Sequence, residues 1–148
     1  MKYIKLQQDL LKEMDSWKSM RGFFWHEDEF VYYSDGFKAM AVPENCWYLS
    51  DDALGKHLQK YEGKLSKLYD GKDREYLPAQ MTGNIKVANG DELVEIASEK
   101  CTAYVNKKQL KYFENPTFTL KSPVSPLGVF ESFFVGIVLP TRIKKAGE

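Results

Sequence analysis

The sequence is poor in the residues that most often carry chemistry. It has two histidines, His26 and His57, far apart in the chain, so no His pair stands at metal-ligand spacing. It has two cysteines, Cys46 and Cys101, whereas small secreted scaffolds carry several pairs at short spacing; a reducing, cytoplasmic setting is expected. No stretch approaches the ~20 apolar residues that cross a bilayer. The most apolar run, Phe133 to Leu139, is strand-sized, and the opening Met1-Lys2-Tyr3-Ile4-Lys5 breaks up any leader-like run, so no membrane association is expected. A Gly-rich phosphate loop, Gly-x-Ser-x-Gly and Cys-x-x-Cys are all missing. Net charge is missing too: Lys plus Arg and Asp plus Glu both number 21, which excludes a free-standing, strongly basic nucleic-acid binder.

What is present is enough for a folded core. The 148 residues are 43% hydrophobic and 14% aromatic, as expected of one α+β domain spanning 1–148. Charge is unevenly spread. Residues 26–55 carry seven acidic side chains against Lys38 alone, while 104–124 carry Lys107, Lys108, Lys111 and Lys121 against Glu114. One face can therefore be positive while the sum is zero; ordinary scatter over a solvated surface gives the same count.

The spacing predicts a short strand at 2–6, then a helix near 7–18 with Leu10, Leu11, Met14 and Trp17 on one face. Two aromatic-rich runs, Gly22–His26 and Phe30–Ser34, flank Glu27-Asp28-Glu29 and read as a hairpin. Ser34-Asp35-Gly36 is a second turn, and Phe37–Val42 a third strand stopped by Pro43. Leu54, Leu58, Tyr61, Leu65 and Leu68 recur by four and three, which predicts a helical insertion near 50–75, starting at Ser50 and stopping at Gly71. Strands return at Gly83–Ala88 and Leu93–Ser98 around Asn89-Gly90, and at Thr102–Val105. Asn106 is a predicted cap for a second helix through Phe113, before strands at Thr117–Leu120, Leu127–Phe130 and Phe133–Leu139. The chain thus reads as two strand-helix-three-strand halves, with two helices on one face of a curved antiparallel sheet whose other face stays wet.

That arrangement, with the residues of the last third, resembles the bacterial DNA sliding clamp family. The similarity runs through Val105-Asn106-Lys107-Lys108-Gln109-Leu110, Phe118-Thr119-Leu120, Ser122-Pro123-Val124-Ser125-Pro126-Leu127 and Val138-Leu139-Pro140-Thr141-Arg142-Ile143; near the start, Ser34-Asp35-Gly36-Phe37-Lys38-Ala39 resembles a clamp turn. The chain departs from the family in having room for one such domain and in the 47–78 segment, which has no clamp counterpart. The resemblance implies a clamp-like fold and a non-catalytic, processivity-type role. It also implies contact with double-stranded DNA, independent of sequence, through Lys12, Lys107, Lys108 and Lys111, and self-assembly through sheet edges. It further implies a shallow peptide-binding site for replication or repair proteins at Leu139, Pro140, Thr141, Arg142 and Ile143. No cofactor or metal is implied. Solubilising lysines on a surface helix are the plain alternative for the same positions.

Other constellations point to structure rather than chemistry. His26-Glu27-Asp28-Glu29 are consecutive in a hairpin turn and do not converge as a cage. His57 sits on the apolar stripe and is expected to pack. Cys101 beside Lys100 has no partnered base. Phe23, Phe24, Trp25, Tyr32, Tyr33 and Phe37 offer stacking platforms for single strands, but on alternating strands about half must face the core. Three functions remain open: a clamp-like DNA or replication factor, a peptide- or protein-binding module of the same fold that leaves DNA alone, and an enzyme with an unfamiliar site drawn from Asp35, Asp51, Asp52 and Asp91.

Overall fold

A computed structural model of the chain describes residues 1–14 and 22–143. Helix α1 spans Tyr3–Met14, with Leu6, Leu10 and Met14 on its buried stripe. The strand expected at 2–6 is part of this helix, because Leu6 continues the four-residue spacing of Leu10 and Met14 one turn towards the N-terminus. Trp17, the last residue of the expected stripe, lies outside the described residues.

The hairpin, turn and third strand form as expected: β1 (Phe23–Glu27), β2 (Phe30–Ser34) and β3 (Lys38–Pro43) pair antiparallel in order. The hairpin turns at Asp28 and Glu29, both at positive φ (50° and 66°), which suits the tight right-handed twist of a short loop. The predicted helix over 50–75 is replaced by three short pieces. Ser50 accepts a hydrogen bond from the Ala53 amide and caps α2 (Asp51–Gly55), only one and a half turns long. Leu54 and Leu58 enter the core on the α1 side; Gln59–Lys60 (β4) then pairs parallel to β1; and a 3-10 turn follows at Leu65–Lys67. The leucine stripe does not mark one helix because its members serve opposite faces of the sheet: Tyr61 and Leu65 pack with Trp25, Tyr32 and Ile137 on the far side.

Beyond it come β5 (Leu77–Ala88), β6 (Asp91–Ala97), β7 (Thr102–Asn106), β8 (Thr117–Leu120), β9 (Leu127–Phe130) and β10 (Phe134–Val138). The ten strands form one sheet in the order β4-β1-β2-β3-β10-β9-β8-β5-β6-β7, antiparallel throughout except for the β4–β1 pair. The architecture is α+β. The long strand β5 pairs β8 with its first three residues and β6 with the rest, across a bulge between Met81 and Ile85, so it bends the sheet and turns β6 and β7 back over the core.

The second expected helix is also replaced. Asn106 does cap, its Oδ1 accepting from the Lys108 amide at 3.0 Å, but what it caps is the 3-10 turn Lys107–Leu110. The pull comes from Tyr112 and Phe113, which turn inward to the α1 cluster directly after it. The halves are therefore not two strand-helix-three-strand repeats, and the helix in α1's core cluster is α2. Nor is the opposite sheet face wet over β1–β3 and β8–β10. Residues 61–76 cover it, with Tyr69 stacked on Phe134 at 5.7 Å between ring centres and hydrogen-bonded to Thr119 Oγ1 at 2.7 Å. Over α1 runs the strap 43–50, held by Gln7, whose Nε2 donates to the Cys46 carbonyl (2.8 Å) and whose Oε1 accepts from the Tyr48 amide (2.6 Å).

Candidate functional site

Four exposed apolar side chains, Phe23, Phe37, Leu68 and Leu139, are brought to one depression, floored by Trp25 and Ile137. Each comes from a different element: the start of β1, the β2–β3 turn, the end of the 61–68 segment and the residue after β10. Phe37 is the most exposed, at 61%. Its placement follows from local turn chemistry. Gly36 takes φ +92°, open only to glycine without strain, and Asp35 Oδ1 accepts from the amides of Phe37 (2.9 Å) and Lys38 (3.0 Å). The Phe37 carbonyl in turn accepts from the Leu139 amide at 2.8 Å, fixing the two apolar residues side by side.

The groove holds about 220 Å³. Its one charged wall residue is Lys38, only 9% exposed, whose Nζ is held by Asp35 Oδ2 and Gln109 Oε1, both at 3.0 Å. The Lys38 ammonium and the Ser34 hydroxyl, which accepts from the Gly36 amide at 3.1 Å, are thus engaged within the chain, and the groove presents mainly carbon to a visitor.

The five residues Leu139, Pro140, Thr141, Arg142 and Ile143 do not act as one surface. Leu139 lines the groove. Thr141, Arg142 and Ile143 border a separate, open depression of about 520 Å³ against Thr102, Tyr104 and Val124. β10 ends at Val138, and the following segment is held by single bonds, the Thr141 amide donating to the Tyr104 carbonyl at 2.7 Å. The chain crosses here from β10 towards the β7 edge.

Among the four lysines, Lys107 and Lys108 reach the β5–β6 hairpin, pairing with Glu92 Oε2 (3.3 Å) and Asp91 Oδ1 (3.2 Å). Lys111 pairs with Asp9 Oδ2 on α1 at 3.1 Å. Lys12 is exposed and makes no ion pair among the described residues. Asp9 therefore draws Lys111, and also Lys5 at 3.2 Å, to one side of α1.

His26 does not join its neighbours. It projects from β1 to bind Asp51 Oδ1 through Nε2 (2.9 Å), with Glu44 at 3.4 Å from Nδ1, and the hydrogen bond to Asp51 is the main cause of its raised pKa. Among the described residues no cluster of three or more His, Cys, Asp or Glu side chains is arranged to hold a metal ion. Cys46 and Cys101 are half-buried free thiols. Of the aromatic set, Phe24, Trp25, Tyr32 and Tyr33 are buried, on alternating faces. Of the four acids considered for an enzyme site, Asp35, Asp51 and Asp91 hold Lys38, His26 and Lys108 respectively.

The groove was not legible as a site in the sequence. Phe37 and Leu68 read there as a strand start and a helical stripe; the available signal was a large apolar residue directly after an Asp-Gly turn, where it has no strand neighbour to pack on. Comparison with known families, curated proteins and solved structures finds no match to this chain.

Proposed function

We propose that the chain is a non-catalytic protein-binding module that takes one or two apolar side chains of a partner into the Phe23–Phe37–Leu68–Leu139 groove. The observation that carries this reading is the convergence of four exposed apolar residues from four elements around a wall whose one charged group is held in an ion pair. At about 220 Å³ the groove is below the ~300–1,000 Å³ range of small-molecule pockets and suits side chains rather than a whole metabolite. Its single charged lining residue is fixed in an ion pair, which favours recognition over acid–base chemistry. Selection of random peptides on phage tests it. Enriched peptides should share one or two large apolar residues and should be lost on a Leu139→Asp variant that keeps its circular dichroism. Absence of enrichment, or binding indifferent to that change, would count against the groove.

A second reading keeps the sliding-clamp resemblance: a clamp-like fold, DNA held without sequence preference, and replication or repair proteins as partners. Lys107 and Lys108, with side chains 62% and 79% exposed, favour it, since exposed ion pairs are worth only ~0–1 kcal/mol and can be traded for phosphate. On this reading duplex DNA binding weakens steeply with salt, with a slope of roughly −0.9 per phosphate contact, and Lys107→Glu reduces it. Encircling a duplex would also need self-association, visible as a mass above the monomer in light scattering. Salt-independent or undetectable DNA binding by a monomer removes this reading and leaves the first intact.

A further inference from the structure

Resting on the groove reading above, we propose that the partner segment carries acidic residues beside its apolar anchor. One rim of the groove carries positive charge. Leu68, one of the four exposed apolar lining residues, closes the 3-10 turn Leu65–Lys67, and the same turn carries Lys64 at its start and Lys67 next to Leu68. Lys60, although next to Tyr61 in the chain, pairs with Phe24 and so lies on the other sheet face, away from the groove. Lys64 and Lys67 are both exposed, and neither makes an ion pair among the described residues. They differ in this from Lys38, Lys107, Lys108, Lys111 and Lys121, each of which is held by an acid of the same chain.

The acids close to the groove do not neutralise them. Asp35 is engaged by Lys38 and by two backbone amides of its own turn. Glu27 accepts through Oε1 from the Leu65 amide (2.9 Å) and from Trp25 Nε1 (3.2 Å), which fastens the turn to β1. Glu62, next to Tyr61, is the one exposed acid in the 61–68 stretch, against Lys64 and Lys67. A carbon-lined groove beside a fixed turn with uncompensated ammonium groups is complementary to an apolar segment flanked by carboxylates. Such complementarity acts mainly on partner choice and association rate.

The test uses three labelled nonapeptides with the core Ile-Phe-Leu, flanked on both sides by Glu, by Ser or by Lys, titrated by fluorescence anisotropy at low and high salt. The Glu-flanked probe should bind about five- to tenfold tighter than the Ser-flanked one at low salt, and the Lys-flanked probe weakest. High salt should close the gap. The double variant Lys64→Glu/Lys67→Glu should reverse the order of Glu- and Lys-flanked probes while leaving Ser-flanked binding unchanged; Lys64→Gln/Lys67→Gln should only level it. Equal affinity of Glu- and Ser-flanked probes, both sensitive to Phe37→Asp, overturns the charge inference and leaves the groove in place. Failure of all three probes to bind overturns the groove and this inference with it.

Discussion

The phenol of Tyr112 donates a 2.7 Å hydrogen bond to Oδ2 of Asp9, joining residues 103 positions apart in the chain. It fastens α1 to the segment after the Lys107–Leu110 turn, inside the main core cluster. The bond, with Lys111 and Lys5 beside it, holds the Asp9 carboxyl well below the usual carboxylate range despite burial; burial and the same bond push the Tyr112 hydroxyl up.

Replacing Tyr112 with Phe is expected to destabilise the fold by about 1–3 kcal/mol, because a buried carboxylate loses its closest donor. Urea unfolding at neutral pH measures it. The sign with pH follows from the lowered pKa of Asp9. Its contribution is present above the ordinary carboxylate range and is lost as pH falls towards the folded value. The wild-type advantage over Tyr112→Phe should therefore shrink in acid; a gap constant down to the acid limit would show that the bond does not stabilise the ionised form.

His26 gives the opposite dependence. Its pKa is raised from 6.5, first by the hydrogen bond to Asp51, against a smaller effect of burial. A raised histidine stabilises fully below its unfolded value and loses that contribution as pH climbs through the folded value. The wild type should gain thermal stability over His26→Gln below about pH 6.5 and lose the gain as pH climbs through the folded value, by a small amount because the pair is exposed. An NMR titration of the ring should give a midpoint above that of a free histidine. A midpoint below it would remove the His26–Asp51 tie.

Gly136 sits in β10 between β3 and β9, and a Cβ there would press into the Ala39 carbonyl oxygen, a backbone atom in a paired strand that cannot step aside. Gly136→Ala should cost about 2–3 kcal/mol in thermal or urea unfolding. Gly55→Ala is the control: nothing lies within 4 Å of its Cβ, and in α2 alanine should be neutral or slightly stabilising.

The parts of this fold that were legible in the sequence are those set by neighbours in the chain. The aromatic hairpin closing at Asp28-Glu29, the Ser34-Asp35-Gly36 turn, the stop at Pro43 and the Asn89-Gly90 turn all follow from local turn chemistry and alternation. Asn106 was legible as a cap, but not the length of what it caps, because the inward turn of Tyr112 and Phe113 is decided by Asp9, far away in sequence. The stripe from Leu54 to Leu68 misled for a related reason: four-residue spacing is shared by one helix and by a chain that passes round a sheet edge, and only β1 distinguishes them, by pairing with Gln59–Lys60. Of the groove's exposed apolar residues, Leu139 is legible through the clamp resemblance, Phe23 and Phe37 only as stacking platforms and Leu68 only as part of a helical stripe, because four elements separated in sequence have to meet before the groove exists.

The most direct measurement is amide chemical-shift mapping of isotope-labelled protein titrated with the Glu-flanked Ile-Phe-Leu nonapeptide. Perturbations should gather at Gly36, Phe37, Tyr61, Leu68 and Leu139, and vanish in Phe37→Asp. Perturbations confined to Thr102–Tyr104 and Thr141–Ile143, or none at saturating peptide, would contradict a partner-binding groove at this place.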